Sequence, residues 1–202
     1  MNSPSAKEGT CSFVPKQLPF CPRPLPHELL TSWLERVAVA NLLSSSQLLD
    51  SLWRRCPELN KVCPCLDYDL PADWAKALGA FCRIEPHRLR ALDLRRQFKG
   101  QPLDWFVQDS DGHSDFGVSV RPRILHPFCV ACLRRQALAR SPLHLPAHWT
   151  LAFLTHCPEH GCPLFHHCPA CFTSMPLPFG PVNDQIDLIN CRRCRIPSAG
   201  VS

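Results

Sequence analysis

The first clear alternation of apolar and polar positions begins at Pro26. On a helical wheel Leu29, Leu30, Trp33, Leu34, Val37 and Ala40 fall within one apolar arc of roughly 140°, with Glu28, Thr31, Ser32 and Glu35 opposite. Pro26 and Glu28 suit a first turn, which tolerates proline and favours negative charge. A second helix is expected after Ser44–Ser46, which would cap it, with Leu48, Leu49, Leu52 and Trp53 buried. Beyond Pro64 and Pro71 the pattern predicts two short helices, Asp73–Phe81 and Glu85–Leu92, joined by a tight turn into a helix-turn-helix-like pair. Arg88 and Arg95 would share a face of the second. Arg96 would fall beside Leu89 and Leu92, so that helix should end near Asp93.

The rest of the chain has weaker periodicity. Residues 1–23 read as a flexible tail in which Phe13, Phe20 and Cys21 are candidates to pack onto the neighbouring helical domain. Residues 100–125 read as a connector anchored by Trp105, Phe106 and Phe116. Further on, Leu133–Arg140 suits a short helix, and Trp149–Thr155 suits a strand or a helix. The 22 prolines and only 8 glycines argue for short helices joined by extended connectors, because proline breaks helices and disqualifies central strands. The expected organisation is therefore a tail (1–23), an α-helical domain with the helix-turn-helix-like pair (24–99), the connector, and a tandem zinc-ribbon or zinc-knuckle domain (126–196), with little sheet.

Charge changes the picture only locally. The chain carries 22 Lys+Arg against 17 Asp+Glu, and the excess is concentrated. Residues 83–99 hold six basic side chains and two acidic ones, and residues 121–140 hold five basic and no acidic. Between them runs the acidic series Asp104, Asp109, Asp111, Asp115. Such patches suit phosphate or an acidic protein surface, and also suit a solvated face. Arg88, Arg95, Arg134 and Arg135 are the candidates for nucleic-acid or partner contact. No stretch approaches the length of a membrane span, and no charged and then apolar leader opens the sequence. A soluble protein of the bacterial cytoplasm is expected.

The 14 cysteines carry the chemistry. Four pairs follow one another: Cys129 and Cys132, Cys157 and His160, Cys168 and Cys171, Cys191 and Cys194. Each places two soft donors three residues apart, so that a tight knuckle turns both onto one ion. Two knuckles close one tetrahedral site, so the series predicts two structural zinc ions. Thiolate with imidazole suits zinc, whereas hard cations take oxygen donors. Iron–sulfur ligation would use closely spaced runs of three cysteines, which are missing. Disulfides fit poorly with regular pairs and no secretory leader. Sequential pairing (Cys129, Cys132, Cys157 and His160; Cys168, Cys171, Cys191 and Cys194) needs no threading and is preferred; a cross-braced pairing is the alternative. Cys162, His166 and His167 lack pair spacing and are expected to pack or solvate. Cys56, Cys63 and Cys65 lack a fourth donor for a third metal. Cys11, Cys21, Cys56 and Cys82 read as small buried hydrophobes.

Two segments together carry a resemblance. One is Leu25-Pro26-His27-Glu28 with Ser32-Trp33-Leu34, Arg36 and Ala38. The other is Phe128-Cys129 with Cys132-Leu133, Trp149, Cys157-Pro158-Glu159-His160, Leu164 and Cys168-Pro169-Ala170-Cys171. This combination resembles the TniQ family over residues 24–194, and the short length resembles the compact members found in CRISPR-associated, Tn7-like transposons. The resemblance implies a non-catalytic target-selection adaptor. Such a protein links a target complex, either a CRISPR effector ribonucleoprotein with its guide RNA or DNA itself, to the AAA+ regulator TnsC. It also implies a helix-turn-helix region followed by tandem zinc ribbons, with some members acting as homodimers. The chain departs from the family in its proline-rich start, its extra cysteines and a thin basic face on the second helix of the pair.

A zinc enzyme is disfavoured on the residues. Catalytic zinc keeps an open position beside an acid or base, whereas both quartets here are filled by protein donors. A deaminase would place His-x-Glu before a Pro-Cys-x-x-Cys; Phe128 separates Pro127 from Cys129, and no His-x-Glu precedes it. The other alternative is a stand-alone zinc-ribbon and helix-turn-helix DNA-binding protein.

Overall fold

The computed structural model describes residues 17–57, 59, 65–109, 123–168, 170–172, 181–182, 185–186 and 194. Among them the fold is mostly helical. The elements are α1 (Leu30–Ala40), α2 (Ser45–Arg55), α3 (Ala72–Cys82), α4 (Pro86–Arg90), α5 (Leu94–Gln97) and α6 (Val130–Leu138). Sheet is confined to two antiparallel two-residue ladders. One pairs β1 (Gln108–Asp109) with β2 (Arg123–Ile124), and the other pairs β3 (Pro181–Val182) with β4 (Gln185–Ile186). Two 3-10 turns, Leu103–Trp105 and Ala147–Thr150, complete the regular structure.

The first apolar core lies among α1, α2, α3 and α4. Leu30, Trp33, Val37, Leu48, Leu52, Trp74, Leu78, Phe81 and Leu89 are all essentially inaccessible. Trp53 meets Trp74 edge-on at 6.0 Å. The helix expected after Ser44 forms there: the Ser44 hydroxyl accepts the Gln47 N–H and the Gln47 side chain returns to the Ser44 N–H, a reciprocal capping box. Arg54 and Arg55 in its last turn complement the helix dipole.

The first helix starts four residues later than its wheel suggests. His27 has a left-handed φ of 57° in a turn, after which Glu28 bridges antiparallel to Pro146 and Leu29 is extended. The Leu29 N–H bonds the Leu145 carbonyl at 3.0 Å, and the Ala147 N–H bonds the His27 carbonyl at 2.7 Å. Long-range pairing thus takes the backbone groups that a first turn would have used. The side of α1 expected to face solvent is also buried: Glu28 and Ser32 are 0% exposed, Glu35 3% and Arg36 7%.

The chain before α1 departs from its expectation as well. Residues 17–23 are held on the helical unit and do not trail away as a tail. Leu18 is buried, with its N–H on the Phe81 carbonyl. Trp33 Nε1 donates to the Pro22 carbonyl and Arg36 to that of Arg23. Phe20 itself is exposed, and Phe13 and Cys11 lie outside the described residues.

The helix-turn-helix-like pair is present as α3 and α4. Its turn needs Gly79: a Cβ there would sit 2.5 Å from the Ile84 carbonyl oxygen, while the Ile84 N–H bonds the Gly79 carbonyl at 3.0 Å. The second helix is only five residues, about 7.5 Å long at 1.5 Å per residue. The chain breaks at 91–93, near the expected stop, and restarts as α5. Asp93 caps α5 by accepting the Arg96 N–H at 2.9 Å. Arg88 and Arg95 therefore sit on different helices and share no face.

The second core gathers Leu29, Leu94, Phe106, Ile124, Phe128, Leu133, Leu145, Trp149 and Leu151 around the buried cysteines 129, 132, 157 and 168. Phe106, from the expected connector, is 1% exposed and packs edge-on against Tyr68 and Phe98. Much of that connector, including Asp111, Asp115 and Phe116, lies outside the described residues. No helix among the described residues is long and apolar enough to cross a membrane.

Candidate metal centre

The Cys129 knuckle is formed by the start of α6. Cys129 is the N-cap, its sulfur accepts the Cys132 N–H at 3.4 Å, and the first helical turn brings Cys132 beside it. The facing knuckle is a tight turn over 157–162. The Cys157 N–H bonds the Cys162 carbonyl at 2.8 Å, and the Gly161 N–H returns to the Cys157 carbonyl at 2.8 Å. Gly161 takes a φ of 63°, a left-handed conformation that costs a glycine little. An antiparallel bridge between Phe128 and Phe165 holds the two knuckles against one another.

The donor atoms of Cys129, Cys132, Cys157 and His160 all lie within 4.8 Å of one another. His160 Nδ1 stands 3.2 Å from Cys132 Sγ and 3.6 Å from both Cys129 Sγ and Cys157 Sγ, while Cys132 and Cys157 sulfurs are 3.6 Å apart. Tetrahedral zinc, with bonds of about 2.3 Å to sulfur and about 2.0 Å to nitrogen, places donors roughly 3.5–3.8 Å apart. The four atoms fit such an ion. Cys168, Cys171 and Cys194 form a second group, with Cys168 and Cys194 sulfurs 3.7 Å apart. Cys191, the fourth donor expected for that group, lies outside the described residues. Both groups combine the pairs that sequential pairing combines.

The ionisation of the first group points the same way. Burial pushes the Cys129 thiol up to about 11. Burial and the neighbouring sulfurs push Cys132 higher still. At Cys157 burial also opposes ionisation, but hydrogen bonds from His160 and from the Glu159 and His160 backbone bring it down to about 7. Three thiols so close do not ionise together unaided. A dication held among them would supply the charge that offsets their repulsion.

Cys162, expected to pack or solvate, has its sulfur 3.4 Å from Cys129 Sγ while remaining outside the four-donor group. It borders the site as a thiol neighbour of one donor. His167 lies between Phe165 and Phe172, with ring centroids 6.5 and 5.7 Å away, and His166 meets it edge-on at 4.8 Å. Cys21 and Cys82 hydrogen-bond to each other, and Cys82 is buried. Cys56 and Cys65 are half-buried, and Cys63 lies outside the described residues.

The candidate contact arginines occupy three places. Arg88 is exposed on α4, and Arg134 is exposed on α6. Arg95 is 56% exposed and bonds Asp69 at 2.8 Å. Arg135 is 59% exposed and pairs with Glu159, whose carboxylate also lies 3.9 Å from Cys132 Sγ. Glu159 is thus occupied by an arginine at the rim of the thiol group.

The cysteine-rich unit is seated on the helical one through buried polar side chains. Glu28 accepts from Arg36 through both oxygens, at 2.8 and 2.6 Å, and from the Ser32 hydroxyl at 3.2 Å and the Leu25 N–H at 2.9 Å. The Ser32 oxygen in turn accepts the Leu145 N–H at 2.9 Å. Asp67 makes a second junction. It takes the Thr31 N–H at 2.9 Å, the Thr31 hydroxyl at 2.6 Å and His126 Nε2 at 2.8 Å. Its burial works against the carboxylate, but the hydrogen bond and charge of His126 and the two bonds from Thr31 prevail, and its pKa lies below the ordinary value. Sequence reasoning misses Asp67, because an aspartate in a proline-rich stretch offers no signal. Glu28, Ser32 and Arg36 do carry one: they recur every four residues on one helical face.

Two short-helix units, the second bearing thiol and imidazole groups spaced for metal, define a helical protein with cysteine-rich metal-binding modules. The family model TniQ matches residues 19–164, well over half of the chain, and the protein belongs to the TniQ family. It is therefore a transposition-associated protein of a non-catalytic domain family. No curated protein matches it.

Proposed function

We propose that this chain is a target-selection adaptor, with two structural zinc ions, that links a target complex to a TnsC-like AAA+ ATPase in a bacterial cytoplasm. The target complex is a CRISPR effector ribonucleoprotein with its guide RNA, at the target DNA. The observation that carries the reading is the first donor group. Four protein donor atoms lie within 4.8 Å of one another, enough to fill a tetrahedral ion and leave it no open place for substrate or activated water. Zinc held by Cys129, Cys132, Cys157 and His160 would tie α6 to the 157–162 turn. A second zinc would be held by Cys168, Cys171, Cys191 and Cys194. In each case the ion supplies cross-linking and no reaction. The polar junctions at Glu28–Ser32–Leu145 and Thr31–Asp67–His126 then set one unit on the other, as a connector requires.

Direct sequence reading by the α3–α4 pair is the weaker alternative. A five-residue second helix presents little surface to a major groove, where a recognition helix lays several side chains on base edges.

The test is co-purification of the zinc-loaded full chain with the AAA+ ATPase and, separately, with the effector ribonucleoprotein. Stable association with the ATPase is expected. A folded protein holding two zinc ions that binds neither overturns the adaptor reading.

A further inference from the structure

We propose that Cys162 is an oxidation site: a hydroperoxide converts it to a sulfenic acid, which closes a reversible disulfide on Cys129 and takes that donor from the first metal group. The proposal rests on the reading of Cys129 as a zinc ligand.

The geometry starts with the 157–162 turn. Its closing hydrogen bond, from the Cys157 N–H to the Cys162 carbonyl at 2.8 Å, brings the chain back to where the turn began. Just beyond it, Phe165 and Phe128 exchange both backbone hydrogen bonds, at 2.8 and 3.0 Å, so the segment leaving the turn runs beside the residue before Cys129. Cys162 Sγ thereby stands 3.4 Å from Cys129 Sγ, nearer than the 3.6 Å between the donor sulfurs of Cys132 and Cys157.

Cys162 is not required as a ligand, because Cys129, Cys132, Cys157 and His160 already supply four donors. A ligating Cys129 is a thiolate with no proton to give, so the Cys162 S–H donates in this contact. The pair is thus a thiol held against a metal thiolate. Exposure decides which sulfur meets an oxidant: Cys129, Cys132 and Cys157 are buried, whereas Cys162 is half-buried. An accessible cysteine poised beside a second sulfur is the arrangement of reversible redox sensors, and cytosolic disulfides are mostly of this transient kind.

The chemistry balances with hydrogen peroxide as oxidant. The ionised Cys162 sulfur attacks one peroxide oxygen, the O–O bond breaks, hydroxide leaves, and the sulfur is oxidised to a sulfenic acid. The Cys129 thiolate then attacks that sulfur, the S–O bond breaks, a second hydroxide leaves, and the disulfide forms. One proton from the Cys162 thiol and one from solvent turn the two hydroxides into water. The sulfurs close from 3.4 Å to about 2.0 Å. Two thiolates and an imidazole then remain for the ion, and α6 loses part of its tie to the turn. A dithiol reductant restores both thiols and is itself oxidised to a disulfide. An adaptor built this way keeps its second unit fully cross-linked only under reducing conditions.

The experiment treats the reduced, zinc-loaded full chain with hydrogen peroxide. Zinc release is followed with a chromogenic chelator, and mass mapping of peptides locates any disulfide. One equivalent should be released together with a Cys129–Cys162 bond, both reversed by dithiothreitol and added zinc. Cys162→Ser should hold both equivalents before oxidation and release zinc roughly tenfold more slowly than the parent. Cys56→Ser, which alters another half-buried thiol, should follow the parent. Release from Cys162→Ser at the parent's rate overturns the proposal. So does a parent map that joins Cys132 to Cys157 or shows no disulfide. Loss of an equivalent from Cys162→Ser before oxidation overturns it too, since Cys162 would then be a ligand. Reduced parent that holds no zinc overturns the metal reading alone, and the mapped bond still decides for or against the thiol pair.

Discussion

The helical unit and the cysteine-rich unit both bury large aromatic side chains, yet regular structure is divided very unequally between them. Residues 30–90 place four helices around Trp33, Trp74 and Phe81. The described part of 123–172 surrounds Phe128 and Trp149 with one nine-residue helix, a 3-10 turn and isolated bridges. In the first unit backbone groups satisfy one another within helices, and apolar burial supplies the driving force. In the second, few backbone ladders cross-link the described chain, and metal held by the clustered thiols would add a cross-link to its apolar core.

The sharpest way to break this contrast is to remove a donor. Cys132→Ser should lose one equivalent of metal, and with it apparent binding free energy on the order of 10 kcal/mol. Hydrogen exchange should then speed up across α6 and the 157–162 turn while α1–α3 stay protected. Unchanged protection of α6 would show that the second unit folds on its apolar core alone.

Next in size is the junction at Glu28. Glu28→Ala leaves Arg36, 7% exposed, without its carboxylate. The expected loss is about 3–5 kcal/mol in urea unfolding, because a buried charge stripped of its partner is costly. The loss should be felt on both sides, since Ser32 ties this network to Leu145.

Asp67 gives the contrast a pH dependence. Its folded pKa is depressed, so its contribution is fully present above the unfolded carboxylate value of about 3.9 and fades as pH falls through the folded value. Asp67→Asn should cost about 1–3 kcal/mol at neutral pH and flatten the acid side of a melting-temperature profile. A parallel profile would show that the carboxylate charge is not what holds Thr31 and His126.

Smaller effects sharpen the division. Ser44→Ala should cost about 1 kcal/mol through the lost capping box and leave metal content untouched. Cys162→Ser should change stability by less than about 0.5 kcal/mol and keep both metal equivalents by elemental analysis. Loss of an equivalent would place Cys162, and not His160, among the four donors.

Much of this is legible from one sequence. Pair spacing among the cysteines brings together Cys129, Cys132, Cys157 and His160, because a knuckle is a local turn and its two donors cannot lie far apart. Ser44 with Gln47 announces a helix start for the same local reason. Leu30, Trp33, Leu34 and Val37 of the expected arc share a buried face of α1, since side chains every three or four residues must do so, while Leu29 falls before the helix and Ala40 is exposed. Contacts between distant segments decide the rest. Glu28 and Ser32 look like a solvated face until residues 145–147 cover them. Asp67 has no motif, and it matters because Thr31 and His126 converge on it from 36 and 59 residues away. Propensity and spacing act over a few residues and are written in the chain; the pairing of buried polar groups depends on which segments meet, and only folding brings those segments together.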